Sequence, residues 1–296
     1  MNSGTLKIAA PAKVNLFLSI IARRPDGYHE IRTVLQTVSL KDTLEFQPTK
    51  GSVTLECSDP SVPAGRDNLC FRAAMLMRDL AGRQARDCGV RIMLRKAIPT
   101  RAGLGGGSSD AAATLVALNH LWGLGMNPAQ LSCLAARLGS DVAFFLTGGT
   151  ALALGRGEVV VPLAPMQPAM WLVLAKPAVG VCTPWAYHEW DRAALAPGGD
   201  CAAAIRAVSI ARPQALTKAL HNDFERVVPA HHPAVRAAKR DLLRAGCPGA
   251  LLCGSGSAVF GVARNRHQAE RAASALKKKY GWAKAVHTTG RVRWPR

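Results

Sequence analysis

Pro99-Thr100-Arg101-Ala102-Gly103-Leu104-Gly105-Gly106-Gly107-Ser108-Ser109-Asp110-Ala111-Ala112 is the segment on which the reading of the chain turns. Four glycines among five residues leave backbone N–H groups unshielded, and the small-residue run that continues to about Gly123 predicts a helix directly after them. Ser108, Ser109 and Asp110 suit a helix start. A glycine loop feeding the positive end of a helix is built to hold phosphate. The spacing excludes the commoner phosphate loops. A Walker A loop ends in Gly-Lys-Ser/Thr, and no lysine stands here. A G-x-G-x-x-G run beginning at Gly103 requires glycine where Ser108 stands.

Working outward, strand-like and helix-like patterns alternate. Val14, Leu16 and Leu18 alternate with Asn15, Phe17 and Ser19, and Val90, Ile92 and Leu94 with Arg91, Met93 and Arg95, as in half-buried strands. Between them Leu69, Ala73, Leu76, Met77 and Leu80 recur at helical spacing and predict one apolar stripe. Asn127-Pro128 opens a further helix that Gly139 closes, which leaves Asp141 just beyond its end. From about Pro162 the pattern restarts with a strand over Trp171 to Lys176 and a loop over Ala194 to Asp200. It ends as helix (Val235 to Ala245), strand (Ala250 to Cys253), strand (Val259 to Ala263), helix (His267 to Tyr280) and strand (Ala283 to His287). The class expected is α+β.

At 296 residues the chain suits one large or two modest domains, and 49% hydrophobic residues against 19% charged place it among soluble globular proteins. The apolar runs are short and the N-terminus reaches a strand-like segment at Thr5 without a leader, so neither a signal peptide nor a membrane span is expected. Eight cysteines without a C-x-x-C pair read as reduced thiols of a cytoplasmic protein. The surplus charge of +19 attracts polyanions, nucleic acid and phosphorylated metabolites alike. It is scattered along the chain with few aromatics interleaved, so a solvated basic surface accounts for it equally well.

The glycine run resembles the central motif of the GHMP kinases, named for galactokinase, homoserine, mevalonate and phosphomevalonate kinases. Pro11-Ala12-Lys13-Val14-Asn15-Leu16 and Arg24-Pro25-Asp26-Gly27-Tyr28-His29-Glu30 are similar to the N-terminal signature of the branch that acts on a cytidine-diphosphate-linked isoprenoid precursor. Asp67-Asn68-Leu69, Leu138-Gly139-Ser140-Asp141-Val142, Asn222-Asp223-Phe224-Glu225 and Gly254-Ser255-Gly256-Ser257 follow in the family's order. Ala143 replaces an expected proline, a change that should alter only loop stiffness, and Cys253 replaces serine or threonine before the third glycine motif.

The resemblance implies a two-domain architecture, with an N-terminal domain (1–161) like the second domain of ribosomal protein S5 and a ferredoxin-like C-terminal domain (162–296). It implies an ATP-dependent kinase with Mg2+ arriving on the nucleotide, a cytidine-diphosphate-linked small molecule as acceptor, and no specific nucleic-acid or membrane partner. Asp141 resembles the general base and Lys13 the catalytic lysine. Pro99, Ala102, Gly103, Leu104, Gly105, Gly106, Gly107, Ser108 and Ser109 would form the ATP phosphate loop, with Asn68 and Lys96 near the nucleotide. Asn15, Tyr28, His29, Thr183 and Tyr187 would form the acceptor pocket, with Tyr28 and Tyr187 on the two faces of the cytosine and His29 at its edge.

Residue by residue, plainer readings stand beside these. Lys13 also reads as an edge-strand charge, Asn68 as a helix N-cap, and Tyr28 and Tyr187 as partly buried aromatics. Ser108, Ser109 and Asp110 are candidate Mg2+ ligands, although Asp110 also suits a helix N-terminus. His231-His232 reads as a solvated loop rather than a metal site. Two other functions stay open. One is a GHMP kinase for a non-nucleotide alcohol, which leaves Gly27-Tyr28-His29 unexplained. The other is an RNA-binding module, which leaves Lys13, Asp141 and the glycine loop unexplained.

Overall fold

Two long antiparallel strands, β1 (Leu6–Arg23) and β2 (His29–Thr49), form the spine of the molecule. The structure, a computed structural model, describes residues 4–82 and 88–294. Chain order continues through β3 (Val53–Cys57), α1 (Leu69–Leu80), β4 (Gly89–Arg95), α2 (Gly106–Leu121), α3 (Pro128–Leu138), α4 (Ser140–Thr147), β5 (Thr150–Leu154) and β6 (Val159–Pro162). The second half runs β7 (Trp171–Lys176), α5 (Thr183–Arg192), α6 (Cys201–Ile210), α7 (Pro213–Ala219), β8 (His221–Asn222), α8 (Val228–His231), α9 (Pro233–Arg244), β9 (Gly249–Leu252), β10 (Val259–Val262), α10 (Arg266–Tyr280) and β11 (Trp282–His287).

The first sheet has the order β3-β4-β2-β1-β8, with β5 on β2 and β6 on β5; the second has the order β11-β7-β10-β9 and is antiparallel throughout. The β7, α9, β9, β10, α10, β11 succession with that order is the ferredoxin-like arrangement expected. The helices α9 and α10 cover one face of the second sheet, where Val173, Ala175, Leu252 and Val259 meet Val235, Leu242, Ala269 and Leu276. Its other face meets the first sheet, where Leu172, Leu174 and Phe260 pack with Val14, Leu16 and Val34. The remaining face of the first sheet lies under α1 to α4.

Three sequence expectations change here. First, β1 is buried on both faces from Ala12 to Ile20 instead of half-buried, because it lies between the helical layer and the second sheet. Second, the buried stripe of α1 is Cys70, Ala73, Ala74 and Met77, while Leu80 is exposed; small side chains let α1 pack closely on α2, whose Ala111, Ala112, Ala113 and Ala117 are buried. Third, Asp141 falls just beyond the end of α3 as expected, but it sits there in the first turn of a further helix, α4, and Ala143 is a buried residue of that helix, not a loop position. The cap of α3 is as expected: Asn127 and Gln130 form a reciprocal capping box.

The halves are also laced together. Pro162, at the expected boundary, still pairs with Ala151, β8 adds a parallel strand to β1, and the tail returns to the first half, where Val292 N–H and the Trp294 indole donate to Thr147 and Leu146 carbonyls. The segment Asn222 to Glu225 is a clamp. The Asn222 side-chain amide donates to the Leu252 and Gly254 carbonyls, and Glu225 accepts from Leu252 N–H. The Asp223 carboxylate, fully buried, accepts from Ile20 N–H at 2.8 Å and lies 2.9 Å from His221 Nε2. Asp223→Ala removes these acceptors and leaves the Ile20 amide buried without a partner. Urea unfolding should then show a loss of about 1–3 kcal/mol.

Candidate active site

A cavity of about 1160 Å³ opens along the seam between the two halves of the chain, with the glycine loop on one side and α5 on the other. The glycine loop is fixed in it by backbone contacts. Lys13 N–H donates to the Leu104 carbonyl at 2.9 Å, and Ala258 N–H to the Ala102 carbonyl at 3.1 Å, so the loop is sewn to β1 and to the third glycine motif. Gly103 has φ +74°, and a Cβ there would lie 1.8 Å from the Cys253 carbonyl oxygen, an approach only glycine permits. Arg101, just before it, is a non-glycine residue at φ 49°, a costly conformation that clusters at functional sites.

The helix starts earlier than expected. Gly105, at φ +71°, is its N-cap and offers no side-chain hydrogen bond, so Ser108, Ser109 and Asp110 lie inside the first turns and do not cap it. The first intrahelical bond there is Ser109 N–H to the Gly105 carbonyl, which leaves the N–H groups of Gly106, Gly107 and Ser108 facing the cavity end of α2 without an intrahelical acceptor. Ser109 is the one predicted loop residue that does not line the cavity: its hydroxyl is fully buried on the inner side of α2.

Lys13 and Asn15 are two residues apart on β1 and therefore share a face. The Lys13 ammonium, 4% exposed, donates to Asn15 Oδ1 at 2.7 Å and lies 3.5 Å from Asp141 Oδ2 on α4. Asn15 in turn donates to the Thr33 hydroxyl at 2.9 Å, and Thr33 to the Phe17 carbonyl at 2.6 Å, across an irregularity in the β1/β2 register between Asn15 and Phe17. Such bulges re-aim side chains beside active sites. The Asp141 carboxylate, 38% exposed, reaches the cavity from the positive end of its helix.

Lys96 and Asn68 line the cavity but are already occupied. The Lys96 ammonium sits between Asp42 at 2.5 Å and Asp110 at 2.8 Å. Burial pulls its pKa down, but the two carboxylates outweigh burial and hold it above the usual lysine range. Burial pushes the Asp110 carboxyl up to about 7, aided by Asp42 and opposed by Lys96. Asn68 is the N-cap of α1, accepting from Cys70 N–H and donating to the Pro63 carbonyl.

Tyr28 is exposed, with the Arg156 guanidinium 4.7 Å above its ring. His29 is buried, with Nε2 2.7 Å from Asp191 Oδ1. Tyr187 lies flat on His29, centroids 4.4 Å apart at 14°, and edge-on to Phe224, so its nearest stacking partner here is the imidazole and not open cavity. Burial, with the Asp141 carboxylate nearby, holds the Tyr187 hydroxyl above the usual tyrosine range. Thr183 joins Ser255 of the third glycine motif at 2.8 Å. Two groups of contacts thus line the cavity, Gly105 with Lys13 and Asp141, and Tyr187 with His29 and Asp191, and the Asp141 carboxylate is near enough to Tyr187 to act on it electrostatically.

Asp42, Thr33, Arg156 and Asp191 are cavity-linked residues that the sequence reading missed. Asp42 had a signal, an acid in a strand with Leu40, Leu44 and Phe46; the others had none. Cys253 is buried, and burial pushes its thiol up to about 12, so it behaves as a small apolar residue. His231 and His232 pack edge-on against Trp185, and no cluster of three His, Cys, Asp or Glu that could hold a metal is found among the described residues. Nor is any helix among them long and apolar enough to cross a membrane.

The chain is similar to known proteins over nearly its whole length. Residues 68–149 match the model of the GHMP kinases N-terminal domain, and residues 202–281 that of the GHMP kinases C-terminal domain. The chain is 44% identical over 277 residues to 4-diphosphocytidyl-2-C-methyl-D-erythritol kinase of Gloeobacter violaceus, covering 92% of this chain and 90% of that one. It is 43% identical over 281 residues to the enzyme of that name from Moorella thermoacetica, covering 93% and 96%. A crystal structure of a 4-(cytidine 5'-diphospho)-2C-methyl-D-erythritol kinase superposes with a TM-score of 0.82 at 38% identity, over 96% of this chain and all of that one. A homoserine kinase from Cytophaga hutchinsonii shares the fold, with a TM-score of 0.71 at 20% identity. With both domain models matched in order and the relatives aligned over nine-tenths of its length, the chain belongs to the GHMP kinase family, in the branch of the 4-diphosphocytidyl-2-C-methyl-D-erythritol kinases.

Proposed function

We propose that this chain transfers the γ-phosphoryl group of ATP to the 2-hydroxyl of 4-diphosphocytidyl-2-C-methyl-D-erythritol, as a cytoplasmic enzyme of the non-mevalonate isoprenoid route. The observation that carries this reading is the Lys13–Asp141 pair, held between a phosphate-binding loop and an aromatic-imidazole cluster in one cavity. Phosphoryl transfer needs a held triphosphate, a positioned hydroxyl and charge compensation rather than covalent chemistry from the protein. The N–H groups of Gly106, Gly107 and Ser108 and the positive end of α2 meet the triphosphate. The Asp141 carboxylate accepts the hydroxyl proton as general base. Lys13, fixed by Asn15, offsets the charge that grows on the transferring group.

Mg2+ fits as a passenger on ATP: it prefers phosphate and water oxygens with one or two protein oxygens, and the Ser108 side chain and the unpartnered Asp110 Oδ1 are the groups at the loop that would meet it. When bound it neutralises phosphate charge. At the acceptor end, the Tyr28 ring offers a face for the cytosine and His29 an edge, with Tyr187 backing the imidazole. Residues 1–161 supply the loop, Lys13, Asp141, Tyr28 and His29, and residues 162–296 supply Thr183 and Tyr187, the division proposed for the two domains.

Gly106→Val tests the loop. A Cβ at Gly106 already lies 3.0 Å from Ile98 and 3.1 Å from the Lys96 ammonium, so the two further methyls of valine crowd the residues that back the loop and push its N–H groups out of position. Calorimetric titration should show ATP binding lost while circular dichroism stays native; unchanged ATP affinity would remove the loop from the mechanism. Asp141→Asn tests the base. It should lower kcat by roughly 10²–10⁴ with both substrates still bound. Lys13→Ala should lower it too, and because the two groups act as one unit, the double variant should lose far less than the product of the separate losses. Independent, multiplicative losses would show that the pair is not the catalytic centre. Turnover of a panel of alcohols, with the products identified, decides the acceptor.

A further inference from the structure

His29 is the one imidazole stacked against an aromatic inside the acceptor end of the cavity, and its ring nitrogens have different surroundings. Nε2 is 2.7 Å from Asp191 Oδ1 on α5, and the Arg23 guanidinium approaches the other oxygen of that carboxylate at 3.8 Å. Nδ1 has no hydrogen-bond partner among the described residues, and both His29 and Asp191 line the cavity. A carboxylate accepts and cannot donate, so Nε2 of a neutral imidazole bonded to it carries the proton, and Nδ1 is a bare acceptor. Tyr187, flat against the ring, prevents the imidazole from rotating to exchange the two nitrogens.

We infer that Asp191 is a specificity-determining positioning residue. By fixing the Nε2–H tautomer and the plane of His29, it presents an acceptor that suits the exocyclic amino group of cytosine and repels the carbonyl oxygen that uracil carries at the same place. The inference rests on the acceptor reading given above. It assigns base discrimination to an element of the second half of the chain, α5, acting on a residue of β2 across the seam. A site built to receive a donor rejects an analogue that brings an acceptor, because two lone pairs then face each other with water excluded.

The test uses full-length protein, unmodified and as Asp191→Asn and Asp191→Ala, with the cytidine substrate and its uridine analogue. The unmodified enzyme should prefer cytidine. In both variants the preference, taken as the ratio of kcat/KM values, should fall by about 10- to 100-fold. The loss should fall on KM for the cytidine substrate and leave KM for ATP in place, a split that general destabilisation would not produce. The ¹⁵N shifts of the His29 ring should report a protonated Nε2 in the unmodified protein and a mixed or reversed tautomer in Asp191→Asn. Cytidine preference surviving in both variants, or a tautomer unchanged in Asp191→Asn, overturns the inference while the functional reading stands. Equal turnover of both nucleotides by the unmodified enzyme overturns the functional reading and this inference together.

Discussion

A buried ammonium is the constraint around which the rest is arranged. Lys13 sits on a strand walled on both faces, and a charge in that position is costly unless it is paired and hydrogen-bonded. Its partners come from separate elements: Asn15 from the same face of β1, and Asp141 from the first turn of α4. Asn15 is held by Thr33 of β2, and the carbonyl ends of α4 are held by Val292 and Trp294 of the returning tail. The charge that serves the chemistry therefore ties the helical layer, the central sheet and the C-terminal tail to one arrangement. Loosening any of them leaves the ammonium short of a partner.

The glycines act by the same logic of close approach. Because Gly103 lies against the Cys253 carbonyl, the phosphate loop and the third glycine motif form one packed unit, bonded through Arg101 and Ala102 carbonyls to Ser257 and Ala258 N–H groups. The two halves of the chain are thus closely apposed at the glycine loop. Farther along the seam, the contacts are side-chain stacks and ion pairs: Tyr187 on His29, and Asp191 with His29 and Arg23. One end of the cavity is thus preformed backbone, and the other is lined by side chains.

Legibility in the sequence followed locality. The Trp171–Lys176 strand and the helix start at Asn127-Pro128 are decided by neighbours within a few residues, and both were readable. The glycine loop and Lys13 were readable because their residue types are odd for their surroundings, whereas Asp141 alone reads as an ordinary acidic residue and was readable only through the resemblance of the motif around it. The helix α4 was not, since it starts at the residue after a helix-closing glycine and has no capping side chain of its own. Two-sided burial of β1 depends on where the second sheet lands, which alternation cannot encode. Asp191 and Arg156 gain their meaning only from residues more than a hundred positions away. Ser109 is the opposite case: adjacency in the motif suggested a phosphate contact, but its side chain is fully buried and does not line the cavity.

Lys96 shows why proximity to the glycine loop is not the same as a role in holding phosphate. Asp42 accepts from Ala97 and Ile98 N–H groups as well as from Lys96, so it fixes the backbone that leads into the loop. One ammonium between two carboxylates leaves an excess of one negative charge, an unfavourable neighbour for a triphosphate. Asp110 relieves it by taking a proton more readily than an ordinary carboxyl, its pKa pushed to about 7 by burial and by Asp42. Sign follows from that direction: this proton's contribution to stability is complete below the ordinary aspartate range and is lost as pH rises through about 7. Whether or not Asp110 carries that proton, Lys96 is held by two carboxyl groups and has no charge to spare. In the proposed reaction the phosphate would be met instead by the N–H groups at the start of α2, where the helix begins within the glycines and leaves its first N–H groups open, and by the Lys13 ammonium.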